Sequence, residues 1–199
     1  GGVIFSGASE ELLELAELMQ IPVDMTLMAM GAFPGEHPLS MGMMGMHGTY
    51  WANMAVHYSD LVIAVGARFD DRVTGKVSEF CPYAKVIHID IDPTSIRKNV
   101  NVDIPIVGDC KRVLRELNQI LRATVNGEQK ELRKPWWDQI NEWKRAHPLT
   151  YEQDPQGPIK PQHAIKRLYE LTKDRDPIVS TDVGQHQMWA AQYFTLAKP

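Results

Sequence analysis

The stretch MGMMGMHGTYWANMAVHYSDLVIAVGARFDDRVTG, residues 41–75, decides the fold. At its centre Leu61 to Val65 is an unbroken apolar run, preceded by Asp60 and closed by Gly66. A strand buried on both faces of a parallel sheet reads this way. In open α/β sheets, ligands sit beyond the carboxyl ends of such strands. Gly66 has no Cβ, so a ligand can come close to its backbone. Arg68, Asp70, Asp71 and Arg72 then bring two cations and two carboxylates to that edge within five residues. Such a loop can simply be solvated and self-paired. Its place at a strand end, between Gly66 and Gly75, favours a ligand site.

Before this stretch, Val3 to Phe5 reads as a first strand turning through Ser6-Gly7-Ala8. Ser9 is a candidate helix cap, with Glu10 and Glu11 in the first turn, where the helix dipole favours carboxylates. Leu12, Leu13, Ala16 and Met19 supply the helical stripe. Pro22 ends that element, Val23 to Leu27 reads as a second strand, and the glycines and prolines of residues 29–40 mark a loop. Seven of the ten methionines fall between Met25 and Met46, a bias that needs a reason. Methionine commonly fills gaps in a core, yet Gly42, Gly45 and Gly48 argue against a core helix. Residues 41–48 are therefore expected to be a loop facing a flat apolar ligand or an interface, with His47 as a possible donor. Thr49 to Ser59 reads as a helix leading into Leu61–Val65, the expected central strand.

Beyond the stretch, Val86 to Ile89 is the next strand, ending in Asp90-Ile91-Asp92-Pro93. A carboxylate just past a strand end is how dinucleotide folds hold a ribose hydroxyl. A turn-forming role competes with this for Asp92 more than for Asp90. Ile104 to Val107 is a further strand, followed by Gly108-Asp109 and a helix lined by Val113, Leu114, Leu117, Ile120 and Leu121. Strand and helix alternate over residues 1 to about 122. That alternation implies an α/β fold, a doubly wound parallel sheet flanked by helices. The standard G-x-G-x-x-G fingerprint is absent, so any nucleotide is held differently.

Residues 123–160 read as a connector, with Pro135 opening a helix. Trp136, Ile140 and Trp143 recur at helical spacing, more often a packing stripe than a cofactor box. Residues 147–161 are too rich in proline for a helix. A new unit starts at Pro161: a helix carrying Ala164, Ile165, Leu168 and Leu171, a strand at Ile178–Ser180, and a second helix near Gln187. Backbone amides at Val183 to His186, at a helix start after a glycine, could hold a phosphate.

The net charge of -4, with no polybasic run, gives no basis for nucleic-acid or membrane-surface binding. No apolar segment approaches the ~20 residues that span a bilayer. Cys81 and Cys110 lack metal-type spacing and read as ordinary thiols of a reducing compartment, and the histidines lack zinc-type pairings. No metal ligand is expected in this chain.

Four motifs carry a resemblance: GMHGT at residues 45–49, GARFDDRVTGK at 66–76, HIDIDP at 88–93 and TDVGQHQMWAAQ at 181–192. Together and in this order, they resemble the large catalytic subunit of the acetohydroxyacid (acetolactate) synthase family, which uses thiamine diphosphate. The resemblance implies three parts: a central FAD-binding domain at residues 1–122, the connector at 123–160, and the start of a carboxyl-terminal thiamine diphosphate-binding domain at 161–199. By motif it implies flavin contacts at Gly1, Gly2, Thr26, Leu27, Met28, Gly45, Met46 and His47. These continue with Gly66, Ala67, Arg68, Asp70, Arg72, Val73, Asp90, Ile91 and Asp109. Val183, Gly184, Gln185 and His186 match contacts to the diphosphate arm of thiamine diphosphate, and Asp71 and Arg72 match the mouth of the substrate channel.

The resemblance also implies what lies elsewhere. The chain begins almost inside a strand and ends soon after a new unit opens, so it is expected to be a piece of a longer protein. The glutamate that activates the thiazolium ring and the aspartate-asparagine motif that holds Mg2+ are expected outside it, so no catalytic residue is assigned here. The whole enzyme would decarboxylate pyruvate and transfer the two-carbon unit to a second 2-oxo acid, pyruvate or 2-oxobutyrate, for branched-chain amino acids. FAD would be structural, since the net reaction is not a redox one. The piece alone is expected to be inactive. A homo-oligomer (dimer or tetramer), a small regulatory subunit and a cytoplasmic location are further expectations. Two alternatives remain: another thiamine diphosphate enzyme, such as a glyoxylate carboligase or pyruvate oxidase, and a non-catalytic nucleotide-binding module.

Overall fold

The structure, a computed structural model, describes residues 1–198; Pro199, the last residue of the expected third part, lies outside them. The chain opens with one helical turn, α1 (Gly2–Phe5), where a strand was expected at Val3–Phe5. Three apolar residues are too few to display a period. The turn closes through the Phe5 and Ser6 amides, which donate to the Gly1 and Gly2 carbonyls. It buries Val3 and leaves Phe5 91% exposed.

Next comes α2 (Ser9–Met19), capped by Ala8 rather than the expected Ser9 and without a side-chain bond. It ends at Gln20 in the left-handed conformation, ahead of Pro22. β1 (Val23–Met25) stops short of the expected Leu27, because Leu27–Ala29 coils into a 3-10 turn. β2 (Ser40–Met43) takes the first half of the expected methionine-glycine loop. There Met41 and Met43 are buried, so two of the methionines fill core rather than face a ligand. α3 (Tyr50–His57) follows, with the Thr49 hydroxyl accepting from the Ala52 amide at 3.3 Å.

The remaining central elements are β3 (Leu61–Val65), the single turn α4 (Asp71–Thr74), β4 (Lys85–Asp90), β5 (Ile104–Val107) and α5 (Cys110–Thr124). Four helices complete the chain: α6 (Gln129–Leu132), α7 (Lys134–Ala146), α8 (Pro161–Thr172) and α9 (Gln185–Tyr193). The strand expected at Ile178–Ser180 does not form, and Ile178 is 98% exposed. A strand exists by pairing, and among the described residues none runs beside this segment.

Every strand pair is parallel, as the alternation requires. The strands form two sheets, β1-β2 and β3-β4-β5, so β4 is central and β3 is an edge, where β3 was expected at the centre. Side chains of the larger sheet alternate between two cores. Ile63, Val65, Ile87 and Ile89 meet Leu15 of α2 and Leu114 of α5, while Val62, Ala64 and Val86 meet Val56, Phe69 and Val100. Both faces are thus covered, giving parallel sheets flanked by helices. Among the described residues, no helix is long and apolar enough to cross a membrane.

α2 and α5 also share a polar seam. Glu11 accepts from Arg115 at 2.8 Å, the buried Asn118 amide donates to the Glu11 carbonyl at 2.9 Å, and Glu14 pairs with Arg122. On the other side α7 docks by its expected stripe. Ile140 is fully buried against Met41, Ala52 and Ala55, flanked by Trp136, Trp137 and Trp143.

Asp24 of β1 carries an unsatisfied acid in this region. Its side chain is partly exposed, yet Oδ1 is sealed and has no hydrogen-bond partner. Burial pushes its carboxyl up to about 8, opposed by Lys144 of α7. A folded-state value raised above the unfolded one favours the fold at low pH, and that advantage is lost as pH rises toward 8. Asp24→Asn is therefore expected to flatten the fall in stability above pH 4 and to gain about 1–2 kcal/mol at pH 8. Denaturant melts of both proteins across that range check it; an unchanged slope would reject a sealed carboxyl.

Candidate functional site

Because β3, β4 and β5 are parallel, their carboxyl ends share one edge, and Gly66, Asp90 and Gly108-Asp109 arrive there together. The Gly66 amide donates to the Ile89 carbonyl at 2.8 Å, and the Gly108 amide to the Asp90 carbonyl at 2.9 Å. α1 meets this edge backbone to backbone, with the Gly2 amide donating to the Gly66 carbonyl at 3.1 Å. A Cβ on Gly2 would stand 2.6 Å from the Gly66 Cα, and Gly66 itself has φ +57°. Both must therefore be glycine. Gly1 lies beside the Met28 carbonyl and within electrostatic reach of Arg68 and Asp90. The structure thus brings together Gly1, Gly2, Met28, Gly66, Arg68 and Asp90, all expected at one site from sequence. Thr26, Leu27, Ala67 and Ile91 adjoin them along the chain.

A second group forms where residues 45–47 cross residues 72–73. Gly45 has φ +95°, and a Cβ on it would fall 2.5 Å from the Arg72 carbonyl oxygen. The Met46 amide donates to that oxygen at 2.8 Å, and an Arg72 guanidinium nitrogen lies 3.6 Å from the Met46 sulfur. Met46 and His47 are both exposed. Asp70 spends one oxygen capping α4, accepting from the Val73 amide at 3.2 Å, and Asp109 caps α5, accepting from Arg112 at 3.1 Å. Arg68 and Asp71 make no ion pair among the described residues.

Asp90 is buried, and its Oδ1 accepts from the Asp92 amide at 2.9 Å. Asp92 is the turn former: its carboxylate takes the Thr94 amide at 2.9 Å and the Thr94 hydroxyl. His88, wholly buried, points Nε2 toward Asp90 Oδ2 at 3.9 Å, and neither of its ring nitrogens has a hydrogen-bond partner of good geometry. Burial lowers its pKa, so the ring is neutral and the contact is not an ion pair. Phe69 takes the left-handed conformation at φ +52°, held by its T-shaped packing on His88 and Phe80. Strain of this kind collects where surrounding structure over-determines a loop.

Two side chains outside the motif assignments hold these loops. The Asn53 carboxamide accepts from the Gly45 amide at 2.9 Å and donates to the Gly45 carbonyl at 3.0 Å. Asn99 donates to the Phe69 carbonyl at 2.8 Å and to that of Arg68 at 3.3 Å. For Asn53 the sequence did hold a signal: asparagine is a weak helix former sitting inside α3.

Val183–His186 begin α9 and are largely exposed. Among the described residues no hydrogen bond joins them to the strand edge, whereas Gln192, late in α9, donates to the His47 carbonyl at 2.8 Å. Two concavities, about 250 and 390 Å³, lie away from Gly66, Arg68 and Asp90, the first beside Cys81 and the second between β2, Lys144 and Phe194. Cys81 and Cys110 are free and buried, with the Cys81 thiol pushed up to about 11 by burial. No group of three His, Cys, Asp or Glu side chains among the described residues could hold a metal ion.

Parallel sheets flanked by helices, with glycine turns and a buried acid at the carboxyl edge, place the chain in the α/β class whose ligands sit at that edge. The family model for "Thiamine pyrophosphate enzyme, central domain" matches residues 1–117, and the chain belongs to that family. It is 47% identical over 199 residues to the acetolactate synthase isozyme 3 large subunit of Escherichia coli, covering all of this chain and 34% of that protein. It is 52% identical over 204 residues to the probable acetolactate synthase large subunit of Methanocaldococcus jannaschii, again covering all of this chain and 34% of the relative. With the acetolactate synthase of Mycobacterium bovis the identity is 50% over 199 residues, all of this chain and 32% of the relative. The chain spans about a third of the length of the curated relatives it matches.

Proposed function

We propose that this chain is the central part of an acetolactate synthase large subunit, a thiamine diphosphate-dependent transferase. The whole protein would decarboxylate pyruvate and join the two-carbon unit to pyruvate or 2-oxobutyrate in branched-chain amino-acid synthesis. The identity to acetolactate synthases, 47–52% across the whole chain, carries this assignment. The names of these relatives as large subunits support a small-subunit partner. Self-association into dimers or tetramers and a cytoplasmic location belong to the same proposal, as does the division at residues 122 and 160.

Within it, the strand edge is the FAD face. Fit to the group rests on what the edge offers. Ile91 and Met28 are exposed apolar surfaces, 69% and 70% accessible, flanking the Gly1-Gly2-Gly66 backbone. Arg68 is a cation with no carboxylate partner among the described residues, and Asp90 retains one carboxylate oxygen without a hydrogen bond. Flat apolar surface, a free cation and an acid suit a nucleotide with an aromatic ring system, a pyrophosphate and ribose hydroxyls. The same proposal assigns Gly45–His47, Asp70, Arg72, Val73 and Asp109 to the FAD contacts. Val183–His186, at the start of α9 with the Val183 amide bonded to the Asp182 carboxylate at 2.7 Å, suit the diphosphate of thiamine diphosphate, the cofactor that supplies the electron sink. Asp71 and Arg72 would border the substrate path. Mg2+ would be held by residues outside this chain.

The test is a flavin titration of the intact protein beside its Arg68→Ala variant. Saturable binding, weakened about tenfold by loss of one charge-assisted contact, is expected. Equal affinity in both would remove Arg68 from the site, and no binding by either would reject the flavin face. Acetolactate formation from pyruvate, dependent on added thiamine diphosphate and Mg2+, tests the activity itself.

A further inference from the structure

The Gly45 peptide is held in an uncommon way. It sits buried in a conformation only glycine adopts readily, with no room for a side chain on its Arg72 flank. One carboxamide bonds both its polar groups, and the carbonyl also accepts from the Gly48 amide at 2.9 Å. Asn53 Oδ1 accepts its N–H at 2.9 Å and Asn53 Nδ2 donates to its carbonyl at 3.0 Å, while also donating to the Thr49 carbonyl at 3.2 Å. A primary amide offers a donor and an acceptor side by side without carrying a charge. The following residue, Met46, is fixed to the Arg72 carbonyl, so the exposed Met46 and His47 project from a peptide whose orientation Asn53 sets.

We infer that Asn53 is a positioning residue of the flavin face, holding the Gly45 peptide so that Met46 and His47 meet the ligand. It touches no ligand itself, and the inference rests on the flavin assignment above. Asn99 is its counterpart on the Arg68-Phe69 turn.

Asn53→Ala in the intact protein leaves the Gly45 N–H and carbonyl buried without their side-chain partner. Amide exchange at Gly45 and Met46 is expected to accelerate at least about tenfold, with Ile87 and Ile89 of β4 unchanged, and flavin affinity to fall about tenfold. Asn53→Asp, which keeps the acceptor and loses the donor, is expected to fall between, and it serves if the alanine variant folds poorly. Leu121→Ala, a core change at the end of α5 in a separate cluster, separates positioning from general destabilisation and should leave flavin affinity unchanged. Flavin affinity equal to the unaltered protein's in both Asn53 variants would overturn the role of Asn53. Absence of flavin binding by the unaltered protein would instead overturn the flavin assignment on which that role rests.

Discussion

Gly66→Ala is expected to cost about 2–5 kcal/mol and to abolish flavin binding, the sum of a left-handed backbone penalty and a backbone collision. The left-handed term is intrinsic to any L-residue at φ +57°. The collision is specific, because the new methyl would point at the Gly2 backbone, which stands 2.6 Å from where that carbon must go. Backbone cannot rotate aside as a flexible side chain can. α1 would have to leave the strand edge, taking Gly1 and the Gly2–Gly66 hydrogen bond with it. Gly75→Ala is the internal comparison: its φ is +58°, but nothing lies within 4 Å of the added carbon. It should cost only the conformational part, about 1–3 kcal/mol at φ 58°, ψ -123°. Denaturant melts of the two variants measure the difference; equal losses would mean that α1 does not press on Gly66.

Ile140→Ala is the second large effect, about 2–4 kcal/mol from lost burial and the cavity left behind. Ile140 is the fully buried contact by which α7 packs on Met41, Ala52 and Ala55. Three tryptophans of that helix, Trp136, Trp137 and Trp143, surround it, and the Trp137 indole donates to the Gln20 carbonyl at 2.9 Å. Loosening should therefore register twice, as a lower melting temperature and as a red-shifted tryptophan emission before the main transition. A single transition with unshifted emission would show that α7 and the β-sheet region unfold as one unit.

The sequence was most legible where a period had room to repeat. The α2 and α5 stripes, the stripe of α7 and the apolar runs of β3, β4 and β5 appear where expected, except that Ile120 of the α5 stripe is exposed, turned away from the core that Leu114, Leu117 and Leu121 join. Three-residue runs were not legible on their own. Val3–Phe5 and Ile178–Ser180 look like short strands, yet one coils into a turn and the other finds no neighbour to pair with. Pairing is a tertiary event, and no local pattern reports it. The methionine loop failed for a related reason, since β2 needs β1 beside it before Met41 and Met43 become core.

At the site, glycines and acids at strand ends were readable because chain direction alone delivers them to one edge. That Asp70 and Asp109 cap helices could also have been read, each standing just before a helical segment. The Asn99 clamp was another matter. Asn99 reaches back 30 residues to the Phe69 carbonyl, a contact that exists only after the sheet has formed.

The Gly2–Gly66 contact has an evolutionary consequence. Most crowded pairs in a protein can drift, because a larger residue on one side can be answered by a smaller one on the other. Here each partner already lacks a side chain, and the obstacle to either is the other's main chain. No compensating substitution exists at the pair. A library randomising both positions and selected for folding should return glycine at each, while Gly127, with nothing within 4 Å and no left-handed backbone, should accept many residues.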